Sequence, residues 1–146
     1  MSILFSGGGT LGPVTPLLAI HETIAAARPE ADFLWVGTAF GPEAVLVQKR
    51  DIPFFVISSA KWRRYWSFLN LADLFRLLHG LWQSVFILWR EKPALCISAG
   101  GYTSVPVHWA AWLFGIPTWV HQQDVHVGLS NRLMTPFAKI ITTATQ

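Results

Sequence analysis

A chain of 146 residues is one domain by length and long enough to bury a sizeable core. It is 52% hydrophobic and only 13% charged, with eight tryptophans, which is greasier than an ordinary soluble domain and asks for a sheet buried on both faces, a surface made for a membrane or partner, or both. The single Cys96 excludes an internal disulfide framework and a cysteine metal cluster, and its apolar surroundings, Ala94 to Ser98, predict a buried, inert thiol.

In chain order the residues alternate between strand and helix patterns. Ile3 to Phe5 predicts a first strand and Pro16 to Ala27 a first helix, closed by Arg28-Pro29. Asp32 to Thr38 reads as a strand and its turn, 41–47 as a short helix with Pro42 near its start, and Phe54 to Ile57 as a third strand. A long helix over Leu69 to Arg90 follows, then a strand at Ala94 to Ser98 and a helix from Ser104 to Phe114. Gly115-Ile116-Pro117 is a stop before a strand at Thr118 to His121. A short helix over Ser130 to Thr135 and a strand at Lys139 to Thr143 complete the pattern. Such alternation predicts an α/β domain with a parallel sheet. The first strand starts without a basic region ahead of it, which predicts no signal peptide. No uncharged apolar run reaches the roughly 20 residues of a spanning helix, so the expected location is cytoplasmic, with any membrane contact peripheral.

Two glycine-rich turns carry the chemistry. Phe5-Ser6-Gly7-Gly8-Gly9-Thr10-Leu11-Gly12-Pro13 leads from the first strand into a helix. Glycines let the backbone turn tightly and approach a ligand, and the first amides of a helix lack partners and carry partial positive charge, so a phosphate or diphosphate is the natural occupant. The spacing fits neither the dinucleotide fingerprint nor a P-loop, and a ligand-free tight turn is the plain alternative. Ser98-Ala99-Gly100-Gly101-Tyr102-Thr103-Ser104 repeats the arrangement after the fourth strand, where an open parallel sheet places its ligand crevice. Two such turns in one sheet suit the two ends of one phosphorylated ligand. After the fifth strand, His121, Gln123, Asp124 and Asn131 supply polar groups. Asp124 can serve as a base or simply as a helix cap. His121 and His126 have no third ligand at a convincing spacing, so no metal is expected.

The long helix carries one apolar stripe, Leu71, Leu74, Phe75, Leu78, Leu81, Trp82, Val85 and Leu88, which reads most simply as core. Around it, Lys49 to Lys92 holds eight basic and three acidic side chains, net +5, against net −2 for the remainder. Lys61-Trp62-Arg63-Arg64-Tyr65-Trp66 interleaves cations with aromatic rings, as a membrane interface with anionic lipid favours. A solvated basic loop and a nucleic-acid surface are the alternatives; no recognition motif supports the last, and no nucleic-acid partner is expected.

Taken in order, Gly7-Gly8-Gly9-Thr10 with Pro16 and Leu18-Ala19-Ile20, Val36-Gly37-Thr38 with Glu43, and Gly100-Gly101-Tyr102 with Ser104 and Pro106 resemble the MurG family, glycosyltransferase family 28. Gly115-Ile116-Pro117, His121 with Gln123, and Gly128-Leu129 with Asn131 extend the resemblance over essentially the whole chain. It implies a Rossmann-like open parallel sheet with helices on both faces, the N-terminal, acceptor-binding half of a GT-B transferase, over residues 1–146. It also implies transfer of N-acetylglucosamine from UDP-N-acetylglucosamine to an undecaprenyl-diphosphate-linked muramoyl peptide, lipid I to lipid II, without a cofactor. The donor would need a separate UDP-sugar-binding domain, for which this chain has no counterpart. By resemblance, Gly8, Gly9, Thr10 and Gly12 with Gly100, Gly101, Tyr102 and Ser104 hold the acceptor diphosphate. His121, Gln123 and Asn131 shape the crevice, and Lys61, Trp62, Arg63, Arg64, Trp66, Phe75 and Trp82 meet the inner face of the cell membrane. The chain departs from the family's Gly-Gly-Thr-Gly-Gly-His loop at Leu11 and Pro13, where the histidine is a proposed base. Its His121-Gln122-Gln123-Asp124 replaces a His-Glu-Gln-Asn pattern, which makes Asp124 the candidate base. A fragment, a split enzyme and a degenerate, non-catalytic binding module all fit these departures.

Overall fold

The computed structural model describes residues 1–59 and 69–144, the side chains of 69–72 excepted. Short apolar runs without polar alternation, such as Ile3-Leu4-Phe5 and Leu34-Trp35-Val36, form strands because both of their faces are covered. Six strands, β1 (Ser2–Ser6), β2 (Asp32–Gly37), β3 (Phe54–Val56), β4 (Leu95–Ser98), β5 (Thr118–Gln122) and β6 (Ile140–Thr143), make one sheet in the order β3-β2-β1-β4-β5-β6. Every adjacent pair is parallel. The helices are α1 (Leu11–Ala27), α2 (Glu43–Gln48), α3 (Leu69–Glu91), α4 (Ser104–Leu113) and α5 (Leu129–Met134).

Alternate strand residues feed two cores. Ile3, Phe5, Trp35 and Ile97 pack with Val14, Leu17 and Leu18 of α1 and Val47 of α2. Leu4, Leu34, Val36 and Cys96 pack on the other face with Ile87 and Leu88 of α3 and Val107, Ala110 and Ala111 of α4. A third cluster joins Val105 of α4, Val120 of β5 and Met134 of α5. Burial pushes the Cys96 thiol up to about 12, so it is an inert core group.

Helix α1 starts at Leu11, well before the expected Pro16. Pro13 falls in the first turn, where an amide has no intrahelical partner to lose. Pro16 removes only the bond that its amide would have made to Gly12, and the helix runs on through it. The remaining elements lie within about two residues of their expected limits.

The apolar stripe expected to be core in α3 splits in two. Leu88 is buried and Leu81 and Val85 half-buried, but Leu74, Phe75, Leu78 and Trp82 are exposed. The face turned inward carries Gly80, Ser84, Ile87 and Leu88 instead. The reason is close approach. A Cβ on Gly80 would lie 2.1 Å from the Ser58 carbonyl oxygen, and the Ser84 hydroxyl donates to the Gly80 carbonyl at 2.7 Å. Small residues therefore mark the buried face of this helix, and the largest rings lie outside.

In α4, His108 is fully buried and neither ring nitrogen has a hydrogen-bond partner among the described residues. Burial pushes its pKa down to about 3. Unfolding releases the ring to take up a proton near pH 6.5, whereas the folded ring stays neutral until about pH 3. The unfolded state binds more protons throughout that window, so stability is full above pH 6.5 and falls as the pH drops. Denaturant unfolding at pH 6.5 and pH 5 is expected to show a loss of up to about 2 kcal/mol from this residue, and a smaller loss in His108→Leu.

Candidate functional site

The strand order reverses its direction of growth between the parallel neighbours β1 and β4, and the helices that follow them, α1 and α4, pack on opposite faces of the sheet. At such a switch point the loops beyond the carboxyl ends of the two strands part and open a crevice. Both glycine turns lie there. A cleft of about 330 Å3 is lined by Gly8, Gly9, Thr10 and Pro13 from one side and by Ala99, Gly100, Gly101 and Tyr102 from the other. Gln123, Asp124 and Gly128 to Asn131 close its third wall.

The two turns touch. A Cβ on Gly101 would sit 3.4 Å from Pro13 Cγ and 3.5 Å from the Gly8 carbonyl oxygen, and Gly101 has φ +92. Gly9 and Gly100 are also in the left-handed region, at φ +83 and +98. These backbone shapes cost glycine little, and they turn main-chain groups rather than side chains toward the cleft. Thr10 and Thr103 occupy the N-cap positions of α1 and α4 without making a side-chain cap. The Ser104 N–H already donates to the Gly101 carbonyl at 3.2 Å, and Pro13 and Pro106 have no N–H, so the first turns leave the amides of Leu11, Gly12 and Val105 for a ligand. Among the described residues the lining contains no Lys, Arg or His, and Asp124 is its single acidic side chain. What these residues offer an anion is main-chain N–H groups.

The expected residues divide on inspection. Gly8, Gly9, Thr10, Gly100, Gly101, Tyr102, Gln123, Asp124 and Asn131 all line the cleft. Gly12 sits in the first turn of α1, where an added Cβ would come 3.7 Å from Gln123 Nε2. Ser104 does not line the cleft. Its hydroxyl is buried and lies 2.7 Å from the Ser6 carbonyl and 2.9 Å from the Gly100 carbonyl, so it ties the end of β1 to the second glycine turn. His121 is turned away as well. Its Nδ1 lies 2.9 Å from Thr142 Oγ1 on β6, on the strand face that also carries Trp119, whose indole N–H donates to the same hydroxyl.

The neighbouring Gln122 lies on the opposite face of β5 and is bonded to residues of the third wall. It is buried, and its Nε2 donates to the carbonyls of Asp124 at 2.6 Å and His126 at 3.3 Å. Those bonds leave Oε1 facing Asn131, which must therefore present Nδ2 to it. Asn131 is 6% exposed, and its Oδ1 is left beside Gly100 without a donor among the described residues. A ligand hydroxyl or amide reaching this wall would satisfy it.

Glu43, part of the family resemblance but without a role there, acquires one in the structure. Its carboxylate is fully buried, at the start of α2, and accepts from Gly9 N–H at 3.2 Å, Thr38 N–H at 2.7 Å and Thr38 Oγ1 at 2.6 Å. Gly8 and Gly41 exist to make room for it, since a Cβ on either would lie within 2.1 Å of its oxygens. It clamps the first glycine turn to the β2–α2 loop. The family resemblance includes Glu43 with Val36-Gly37-Thr38, but an acid in the first turn of a helix is ordinary, and nothing in the motif assigned it a role. A further signal was the glycines at 8, 37 and 41, which crowd around it.

Of the expected membrane contacts, Lys61, Trp62, Arg63, Arg64 and Trp66 lie outside the described residues. Phe75 and Trp82 are 66% and 68% exposed and, with Leu78, Phe86 and Trp89, form a continuous apolar ridge on the outer side of α3. No helix among the described residues is long and apolar enough to cross a membrane.

Comparison with known proteins agrees with this geometry. Residues 3–143 match the model of the glycosyltransferase family 28 N-terminal domain. The chain is 40% identical over 135 residues to the UDP-N-acetylglucosamine–N-acetylmuramyl-(pentapeptide) pyrophosphoryl-undecaprenol N-acetylglucosamine transferase of Clostridium kluyveri, covering 92% of this chain and 38% of that protein. It is 41% identical over 140 residues to the transferase of the same description from Legionella pneumophila, covering 96% and 38%. The chain thus spans about two fifths of the length of these relatives. The crystal structure of Acinetobacter baumannii MurG superposes with a TM-score of 0.82 at 25% identity, over 98% of this chain and 40% of that one. A UDP-GlcNAc 2-epimerase from Methanocaldococcus jannaschii, at a TM-score of 0.66 and 12% identity over 99% of this chain and 39% of that one, shares the fold. A six-stranded parallel sheet with two glycine turns at its switch point, matched from end to end, places the chain in glycosyltransferase family 28, as its N-terminal domain.

Proposed function

We propose that this domain binds the acceptor of a lipid-linked-sugar glycosyltransferase, one that moves N-acetylglucosamine from UDP-N-acetylglucosamine to an undecaprenyl-diphosphate-linked muramoyl pentapeptide. The observation that carries the reading is the meeting of two glycine turns and two uncapped helix N-termini in one cleft, in a chain 40% identical to transferases of that description. The main-chain amides of Gly8, Thr10 and 100–102 would hold the acceptor diphosphate, while the Gly9 N–H stays with Glu43 and fixes the shape of the turn. Asn131 Oδ1 would accept from a sugar hydroxyl. Asp124 stands at the open wall of the cleft and is the candidate base for the attacking hydroxyl, with its main chain fixed by Gln122. The uridine site would come from a donor-binding domain.

The α3 ridge, Phe75, Leu78, Trp82, Phe86 and Trp89, would lie at headgroup depth on the inner face of the cell membrane. A second reading, a lipid-diphosphate-binding module without chemistry, is favoured by one observation: Pro13, which has no titratable group, lines the cleft where the family carries a histidine.

The two readings separate in a transfer assay with radiolabelled UDP-N-acetylglucosamine and lipid I in detergent micelles, run on the chain alone and with a donor-binding domain added. Product only with the added domain, falling at least 100-fold in Asp124→Asn, is the expected result. Retained acceptor binding with no product in either tube would support the binding module and overturn the catalytic role.

A further inference from the structure

A second and larger cleft, about 550 Å3, opens on the far side of Gly9, over the carboxyl ends of β2 and β3. None of the roles above uses it. Its walls are the main chain of 38–41, Ser58 and Ser59, and the side chains of Arg76 and Gln83 from α3. Gln83 is held there by the Ser58 N–H, which donates to its Oε1 at 2.7 Å. Arg76 is held by Asp73, whose side chain is only 5% exposed and accepts from Nη1 at 3.0 Å. A buried carboxylate anchoring a cation at a cleft wall differs from a passing surface pair, because the carboxylate has no solvent to exchange it for. Phe40 stands fully exposed in the same lining.

Gly9 lines both clefts, so the two meet at that residue. The acceptor proposed above has the same branched shape. Carbon 1 of a muramoyl ring carries the diphosphate, and the ether oxygen on carbon 3 carries the lactyl group to which the peptide is joined. With the diphosphate between the glycine turns and the sugar over Gly9, the larger cleft would adjoin the sugar and be open to the arm on carbon 3.

We infer, on the basis of that acceptor reading, that the larger cleft is the subsite for the peptide arm, with Arg76 pairing a peptide carboxylate. The Gln83 Nε2 and the main chain of Ser59 suit peptide bonds, and Phe40 offers a ring to an apolar side chain.

The test is calorimetric titration of the chain with a short-prenyl diphosphate-linked muramoyl pentapeptide and with the same ligand lacking its peptide. Arg76→Gln is expected to weaken the peptide-bearing ligand about tenfold more than the peptide-free one. Amidating the peptide carboxylates is expected to reproduce that loss on the unaltered chain, which keeps the test independent of any effect of the substitution on folding. Equal losses for the two ligands, or amidation without effect, would overturn the subsite while leaving the diphosphate reading standing. Failure of the unaltered chain to bind either ligand would overturn the acceptor reading and this inference together.

Discussion

Gly80→Ala is expected to lower the stability of the domain by about 2–4 kcal/mol, a fall in Tm on the order of 10 °C. On an exposed helix the same change would stabilise by roughly 1 kcal/mol, since alanine is the better helix former. Here the added methyl would lie 2.1 Å from the Ser58 carbonyl oxygen and 3.7 Å from Pro106 Cγ. The first neighbour is main chain and cannot swing aside, so α3 must move away from the loop after β3. That movement would also stretch the Ser58–Gln83 hydrogen bond. Thermal unfolding of the two proteins decides the matter, and an unchanged or raised Tm would contradict this packing of α3.

Removing the Glu43 carboxylate should be comparably severe and should act on ligand binding as well. Glu43→Ala leaves the donors at Gly9 and Thr38 unpaired in a buried place, for an expected cost of about 2–4 kcal/mol. Glu43→Gln is not a rescue. An amide can keep an oxygen toward Thr38 or toward Gly9, but its NH2 must then face a backbone N–H at the other, because Glu43 meets a main-chain donor at each oxygen. Both variants are therefore expected to loosen the first glycine turn and to weaken diphosphate binding at least tenfold, measured by titration below their melting temperatures. A Gln variant that binds as well as the parent would show that the turn holds its shape without the clamp.

The glycine turns were legible in the sequence because glycine is strong local punctuation and each turn follows an apolar run. Their meeting was not, since it depends on β4 lying beside β1, a pairing of residues about 90 apart in the chain. The faces of α3 were misread because apolar side chains surround much of that helix, and periodicity then cannot say which stripe is buried. Gly80 and Ser84, which look like interruptions, decided it. The misreading of His121 and Gln122 has a similar origin. Consecutive strand residues point to opposite faces, and Thr-Trp-Val-His-Gln in β5 offers an apolar residue to each face, so its pattern names neither histidine nor glutamine as the inward one. The start of α1 was placed at Pro16, five residues late, although the first turn of a helix tolerates the proline at 13 as well.

The central claim is that the two glycine turns act as one anion site. Backbone amide spectra of the labelled chain, recorded while a short-prenyl diphosphate is added, test it most directly. The account predicts that the amides of Gly8, Gly9 and Thr10 shift together with those of Gly100, Gly101 and Tyr102, with a single shared saturation curve. Shifts confined to one turn, or to the apolar ridge of α3, would contradict it.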